Sequence, residues 1–235
     1  MASSTVIPPR IAVREARVVL TIKVFFTSRI WSAARIPPLR AGAHYIAHHE
    51  IARKAAEQGA VLLKNEDGIL PLERDRKITV IGAMAKNIRY QGAGSSHINP
   101  QKLSQPIDYL PNAVFAMGCD ERGDTDEAMI KEAVKAAENA AAAVVFAGLP
   151  DRFESEGFNR NHMKLPQGHL RMLEEVSRAN KNTIVVLLSG CVVECTWAFS
   201  PRDWKNDQRR INSRCKMQSL WTRAFIWLYE KTTRV

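Results

Sequence analysis

The chain has 235 residues, 46% of them hydrophobic and 25% charged, with a formal charge of +10. That length suits one good core with flanks and excludes two large domains. The surplus charge lies at the ends: residues 1–43 hold seven Lys and Arg against one acid, residues 198–235 hold nine against three, and residues 44–197 hold eighteen against twenty. A basic binding domain would carry its cations on periodic faces of the folded part, and here the centre is nearly neutral.

The chain therefore divides into an atypical basic segment 1–43, a central domain 44–197 and an atypical basic, Trp-rich tail 198–235. Residues 44–64 (HYIAHHEIARKAAEQGAVLLK) place Ile46, Ala47, Ile51, Ala55, Ala56 and Ala60 at helical spacing, which predicts one amphipathic helix. Asp67-Gly68 and Pro71 then turn the chain into Lys77 to Ala83 (KITVIGA), a β-branched run that predicts a buried strand. A polar, glycine-rich loop from Asn87 to Pro100 leads to a short strand at Ala113 to Met117.

Asp124 to Asp126 offer capping oxygens before a second helix, Glu127 to Asn139, with Met129, Ile130, Val134 and Ala137 on one stripe. Ala141 to Leu149 is continuously apolar, as a strand covered on both faces would be. Pro166 to Asn180 supplies a third helix through Leu170, Leu173 and Val176, and Thr183 to Ser189 the next buried strand. Apolar strands alternating with amphipathic helices predict an α/β fold: a mostly parallel sheet flanked by helices on both faces, incomplete, with irregular or poorly ordered ends. An incomplete sheet would leave an edge strand and apolar helix faces uncovered unless the Trp-rich tail buries them.

Other features set limits. Cys119, Cys191, Cys195 and Cys215 follow no zinc spacing and are expected as reduced thiols. Val18 to Phe26 is short and interrupted by Lys23, so no membrane partner is expected. No signal peptide is recognised, which makes a cytoplasmic location the expectation. His44, His48 and His49 include an i, i+4 pair, yet no acid or cysteine completes a ligand set at a familiar spacing, so neither metal nor cofactor is expected.

In a parallel sheet, ligand-binding loops lie beyond the carboxyl ends of the strands, here after Ala83, Leu149 and Ser189. The first reads Tyr90-Gln91-Gly92-Ala93-Gly94-Ser95-Ser96-His97-Ile98-Asn99-Pro100, two glycines and two hydroxyls where a backbone passes close to something. It lacks the third glycine of a dinucleotide loop and the Gly-Lys-Ser/Thr of a phosphate loop. The second runs from Pro150 to Pro166 and sets Glu154 and Glu156 among Phe153, Phe158, Arg152 and Arg160. Burial against the aromatics would raise a carboxyl pKa toward that of a general acid and a neighbouring Arg would lower it; the sequence leaves both open.

HHEIARKAAEQGAVLLKNEDGILPL, KITVIGAMAKNIRYQGAGSSHINP, VVFAGLPDRFESEGFNRNHMKLP and IVVLLSGCVVECTW, in that order, closely resemble the C-terminal α/β sandwich domain of family 3 glycoside hydrolases, bacterial β-glucosidases above all. The resemblance runs from about His44 to Trp197. It implies a retaining β-glucosidase that releases a terminal β-D-glucosyl unit with two carboxyl groups about 5 to 5.5 Å apart. It further implies that the nucleophilic aspartate belongs to a separate (β/α)8 barrel and the acid/base glutamate to the sandwich domain. The family's Gly-Glu-Gly-Tyr-Asp-Arg type motif falls on Ser155-Glu156-Gly157-Phe158-Asn159-Arg160, which makes Glu156 the acid/base candidate and Glu154 the reserve. Asn159 stands where the family has an aspartate, and Ser95 and Ser96 are implied sugar contacts.

No barrel precedes His44, and beyond Trp197 the family pattern gives way to the tail, so the expectation is a fragment of a β-glucosidase, inactive alone. Its expected partners are a β-glucoside or β-linked oligosaccharide and the missing barrel, with no nucleic acid. A noncatalytic carbohydrate-binding or assembly module docking on a separate barrel is the alternative. A nucleic-acid binder working through tail residues such as Arg209, Arg210 and Arg214 ranks last.

Overall fold

The computed structural model describes residues 18–23 and 43–198, apart from residues 74, 96, 98, 101 and 158 and the side chains of 21–23, 43–47 and 66. Among the described residues six strands form one sheet: β1 (Val18–Lys23), β2 (Ala60–Asn65), β3 (Ile78–Ile81), β4 (Val114–Ala116), β5 (Ala142–Gly148) and β6 (Thr183–Ser189). Among the described residues three α-helices accompany them: α1 (Ala43–Gly59), α2 (Glu127–Glu138) and α3 (Gln167–Ala179). The strand order is β2-β1-β6-β5-β3-β4, parallel throughout except for the β1–β2 pair. The fold is α/β, a mostly parallel sheet flanked by helices.

β3, β5 and β6 are buried along their whole length, as their unbroken apolar runs require of strands covered on both faces. α2 starts where Asp126 Oδ1 accepts the Met129 amide at 2.8 Å, satisfying one orphan donor of the first turn. It buries Ile130, Ala133 and Ala137, and α3 buries Leu170, Met172, Leu173 and Val176 on the same face of the sheet, with Val145, Val185 and Leu187 beneath them. Asn180 ties the two helix ends together: its amide nitrogen donates to Ala137 O and Ala140 O, both at 2.8 Å. The opposite face, formed by Val80, Val144, Val186 and Leu188, is covered by Leu72, Met84 and Ala85 with Ile107 and Leu110, from irregular segments and short 3-10 turns.

Helices are expected on both faces, whereas α2 and α3 share one face and irregular segments with 3-10 turns cover the opposite core. Two more expectations change. The helix predicted through residue 64 ends at Gly59, and Ala60–Asn65 is a strand antiparallel to β1. Within α1, Ile51, Ala55 and Ala56 are exposed while Glu57 is buried against Arg53, so the helical spacing of small apolar residues there marks no core stripe. The second change is β1 itself. It comes from the segment set apart by charge, yet Val18, Val19 and Leu20 are buried and the strand pairs in parallel with Ile184 to Ser189 of β6. The side of β6 away from β5 is therefore occupied, because a β-branched apolar run satisfies both the ladder and the core there. Among the described residues, no helix is long and apolar enough to cross a membrane. Residues 199–235, with Arg209, Arg210 and Arg214, lie outside the described residues.

Candidate active site

Chain order puts β4 on one side of β3 and β5 on the other, so the sheet's direction of growth reverses between β3 and β5. At such a point the loops leaving the two strands diverge and open a crevice beyond their carboxyl ends. The loop after β3 carries Arg89 and Ser95, and the loop after β5 carries Glu154 and Glu156. The two loops meet in a short parallel bridge between Ala93 and Ser155. Ala93 N donates to Glu154 O at 3.4 Å and Glu156 N donates to Ala93 O at 3.2 Å.

The two glutamates, two residues apart, have opposite surroundings. The Glu154 side chain is 8% exposed and faces the equally buried guanidinium of Arg89, whose Nη1 donates to Oε2. Gly190 N donates to Oε1 and Oε2 at 3.1 and 3.0 Å, and Cys191 N donates to Oε1 at 2.6 Å, both from the loop after β6. Burial pushes the Glu154 carboxyl up, but the Cys191 thiol, the two amides and the Arg89 charge outweigh it and hold the group below the ordinary glutamate value. Arg89 also donates to Leu149 O through Nη1 and to Glu154 O through Nη2 at 3.1 Å. Its Nε lies 3.3 Å from Asp151 Oδ1, an ion pair without hydrogen-bond geometry.

Glu156 is exposed. Its Oε2 accepts the Ser95 hydroxyl and, at 2.9 Å, the Ser95 amide, and these two donors lower its pKa. The approach depends on Gly94, which has φ +118°; a Cβ there would stand 2.6 Å from Glu156 Cβ and 2.9 Å from its Oε2. A glycine is required both by the backbone angle and by the space. Of the implied sugar contacts, Ser95 stands on Glu156, and Ser96 lies outside the described residues, as does Phe158.

A profile of the glycosyl hydrolase family 3 C-terminal domain matches residues 60–205. The chain belongs to this family. It is 47% identical over 159 residues to thermostable β-glucosidase B of Acetivibrio thermocellus, a match covering 64% of this chain and 21% of that protein. It is 42% identical over 167 residues to an exo-α-(1→6)-L-arabinopyranosidase of Bifidobacterium longum, covering 65% of this chain and 22% of the relative. Among solved structures, a GH3 β-glucosidase of Bifidobacterium adolescentis superposes with a TM-score of 0.63 at 38% identity, over 71% of this chain and 24% of that one. The chain thus spans about a fifth to a quarter of these relatives' length.

Within this family 3 domain, the structure brings together Ser95, Glu154 and Glu156, all named from sequence, and adds Arg89 and the Gly190–Cys191 amides. Arg89 falls within the second of the stretches that carry the resemblance but is not singled out there; it lies 65 residues from Glu154, and the pairing of β3 with β5 reveals the contact. Among the described residues, no group of three His, Cys, Asp or Glu is arranged to hold a metal ion. His49 Nε2 lies 3.5 Å from Ser104 Oγ, and the His44 side chain lies outside the described residues. His162 stands beside the Phe153 ring, and His169 is buried in α3 with Nδ1 donating to Gly148 O at 2.9 Å.

Proposed function

We propose that this domain supplies the acid/base half of a retaining β-glucosidase-type hydrolase and that Glu156 is the acid/base. The observation that supports this most is the contrast between the two glutamates at the β3–β5 crevice: Glu154 has its oxygens occupied by Arg89 and two amides, whereas Glu156 presents an exposed carboxyl group held from one side by Ser95. A group that exchanges protons with substrate needs an accessible oxygen, and Glu156 has one.

The chemistry takes two displacements. An aspartate of the barrel attacks the anomeric carbon while the Glu156 carboxyl group donates its proton to the departing glycosidic oxygen. Water then attacks the glycosyl ester, and the Glu156 carboxylate accepts the proton that water loses. In the uncovered domain Ser95 lowers the Glu156 pKa, which favours the base form. Sugar and barrel closing over the crevice strip water from the carboxyl group and drive its pKa upward, toward the acid form needed in the first step. The nucleophile is supplied by the barrel, so the 235-residue chain on its own does not turn over.

Hydrolysis of an aryl β-glucoside tests this. No turnover is expected from the purified chain, and turnover is expected when it is mixed with a separately produced family 3 barrel. Glu156→Gln should cut the rate in that mixture on the order of 10²–10⁴-fold for an alkyl β-glucoside. The dinitrophenyl β-glucoside, whose leaving group needs no proton, should lose far less in its first step. Equal losses on both substrates, or none, would remove Glu156 from the acid role.

A further inference from the structure

We propose that Arg89 and Glu154 are positioning residues: by locking the loops after β3, β5 and β6 to one another, they fix the Ser95–Glu156 contact and hence the place of the Glu156 carboxylate. This rests on the reading of Glu156 as the reacting group only for its catalytic meaning, since the geometry is independent of it. A buried ion pair of this sort gains little net stability over apolar packing of the same volume. Its specific effect is to fix register, and the contacts show which register is fixed.

Arg89 grips Glu154 twice, at the side-chain carboxylate through Nη1 and at the backbone carbonyl through Nη2. That same carbonyl accepts the amide of Ala93, and Ala93 O accepts the amide of Glu156. Ser95, two residues beyond Ala93, then meets Glu156, two residues beyond Glu154. The third loop enters through Gly190 N and Cys191 N, which donate to the same Glu154 carboxylate. A chain of contacts thus runs from the buried pair to the exposed carboxylate with no gap, across three strand ends. Glu156 has no side-chain contact of its own with Arg89 among the described residues, so the positional influence of Arg89 on it passes through the Ala93–Ser155 bridge.

Carboxyl-labelled glutamate NMR titration of the full chain tests this in wild type, Ser95→Ala, Glu154→Gln and Arg89→Lys, with amide hydrogen exchange on the same samples. Loss of positioning should raise the Glu156 pKa in both Glu154→Gln and Arg89→Lys, in the direction Ser95→Ala raises it, and neither should add to Ser95→Ala in a double variant. The sign discriminates. A direct electrostatic effect of Glu154→Gln removes a neighbouring negative charge and lowers the Glu156 pKa. The Ala93 and Glu156 amides should exchange at least tenfold faster in both variants while those of Val145 and Leu187 keep their protection.

An unchanged or lowered Glu156 pKa in a folded Arg89→Lys protein overturns the proposal. So does collapse of protection in β5 and β6 in both variants, which would make the pair a prop of the whole domain rather than of the site. If instead the titration behaves as expected while Glu156→Gln leaves the barrel mixture fully active, the positioning stands and the acid assignment falls.

Discussion

His169 makes the stability of this domain depend on pH in a calculable way. Its imidazole lies under the end of β5, 1% exposed, and donates from Nδ1 to Gly148 O. Burial above all pushes its pKa from the ordinary 6.5 down to about 4, against the opposing pull of the Gly148 carbonyl. Because the folded value lies below the unfolded one, the unfolded chain binds the extra proton between those limits, and stability falls as pH falls through that window. A gap of this size corresponds to about 3 kcal/mol in full, of which about 2 kcal/mol is lost between pH 7 and pH 5. Glu154 acts in a lower window: its folded pKa is lowered, so its contribution is present above the ordinary glutamate value and disappears as pH falls through the folded one. His169→Gln retains a donor for Gly148 O and does not titrate. Urea unfolding followed by circular dichroism at pH 7, 6 and 5 should show the wild-type chain losing about 2 kcal/mol more than the variant across that range. Parallel pH profiles for the two proteins would refute the reasoning, since nothing but the histidine differs between them.

Three further outcomes follow from the packing. Gly94→Ala places a Cβ against Glu156 at a positive φ, so Ser95 should leave the carboxylate and the Glu156 pKa should rise toward the ordinary value, read by NMR titration; an unchanged titration would show the contact to be independent of the glycine. Asn180→Ala removes the side-chain donor shared by the Ala137 and Ala140 carbonyls, of which Ala137 O keeps the Ala140 amide, and should cost about 1–3 kcal/mol in chemical denaturation, whereas a loss below a few tenths would mean that water replaces the side-chain amide freely. Val19→Asp puts a carboxylate at a fully buried position on β1 opposite Val185, so the cooperative thermal transition should move down sharply or vanish. A melting curve identical to wild type would show that β1 does not belong to the sheet.

Much of the candidate site was legible because its residues are local in sequence. Glu154 and Glu156 sit in one loop after a long apolar strand, and Ser95 sits in the glycine-rich loop after another; both loops end strands whose type is plain from unbroken β-branched runs. Which of two opposed effects governs each carboxyl group was not legible. Aromatics and arginines flank both glutamates in the chain, yet the guanidinium that reaches Glu154 is the distant Arg89 rather than Arg152, which pairs with Asp124. The Ala60–Asn65 strand is hidden in the sequence because a helix pattern of small residues runs straight into it, and the partner that makes it a strand lies in the segment distinguished by its charge.

The chain's order of apolar runs and amphipathic stripes determined the class of fold, the loops where chemistry would sit, and the resemblance through which the family enters. These properties are encoded within windows of ten or twenty residues, short enough for periodicity and turn chemistry to specify them. Tertiary structure decided that β1 completes the sheet, that Arg89 and the Gly190–Cys191 amides claim Glu154, and that Ser95 faces Glu156. The first depends on β1 finding β6, and the contacts of Arg89 and Ser95 depend on β3 lying beside β5. Contacts made across strands can be placed only when every strand has found its neighbour, and no local pattern carries that information.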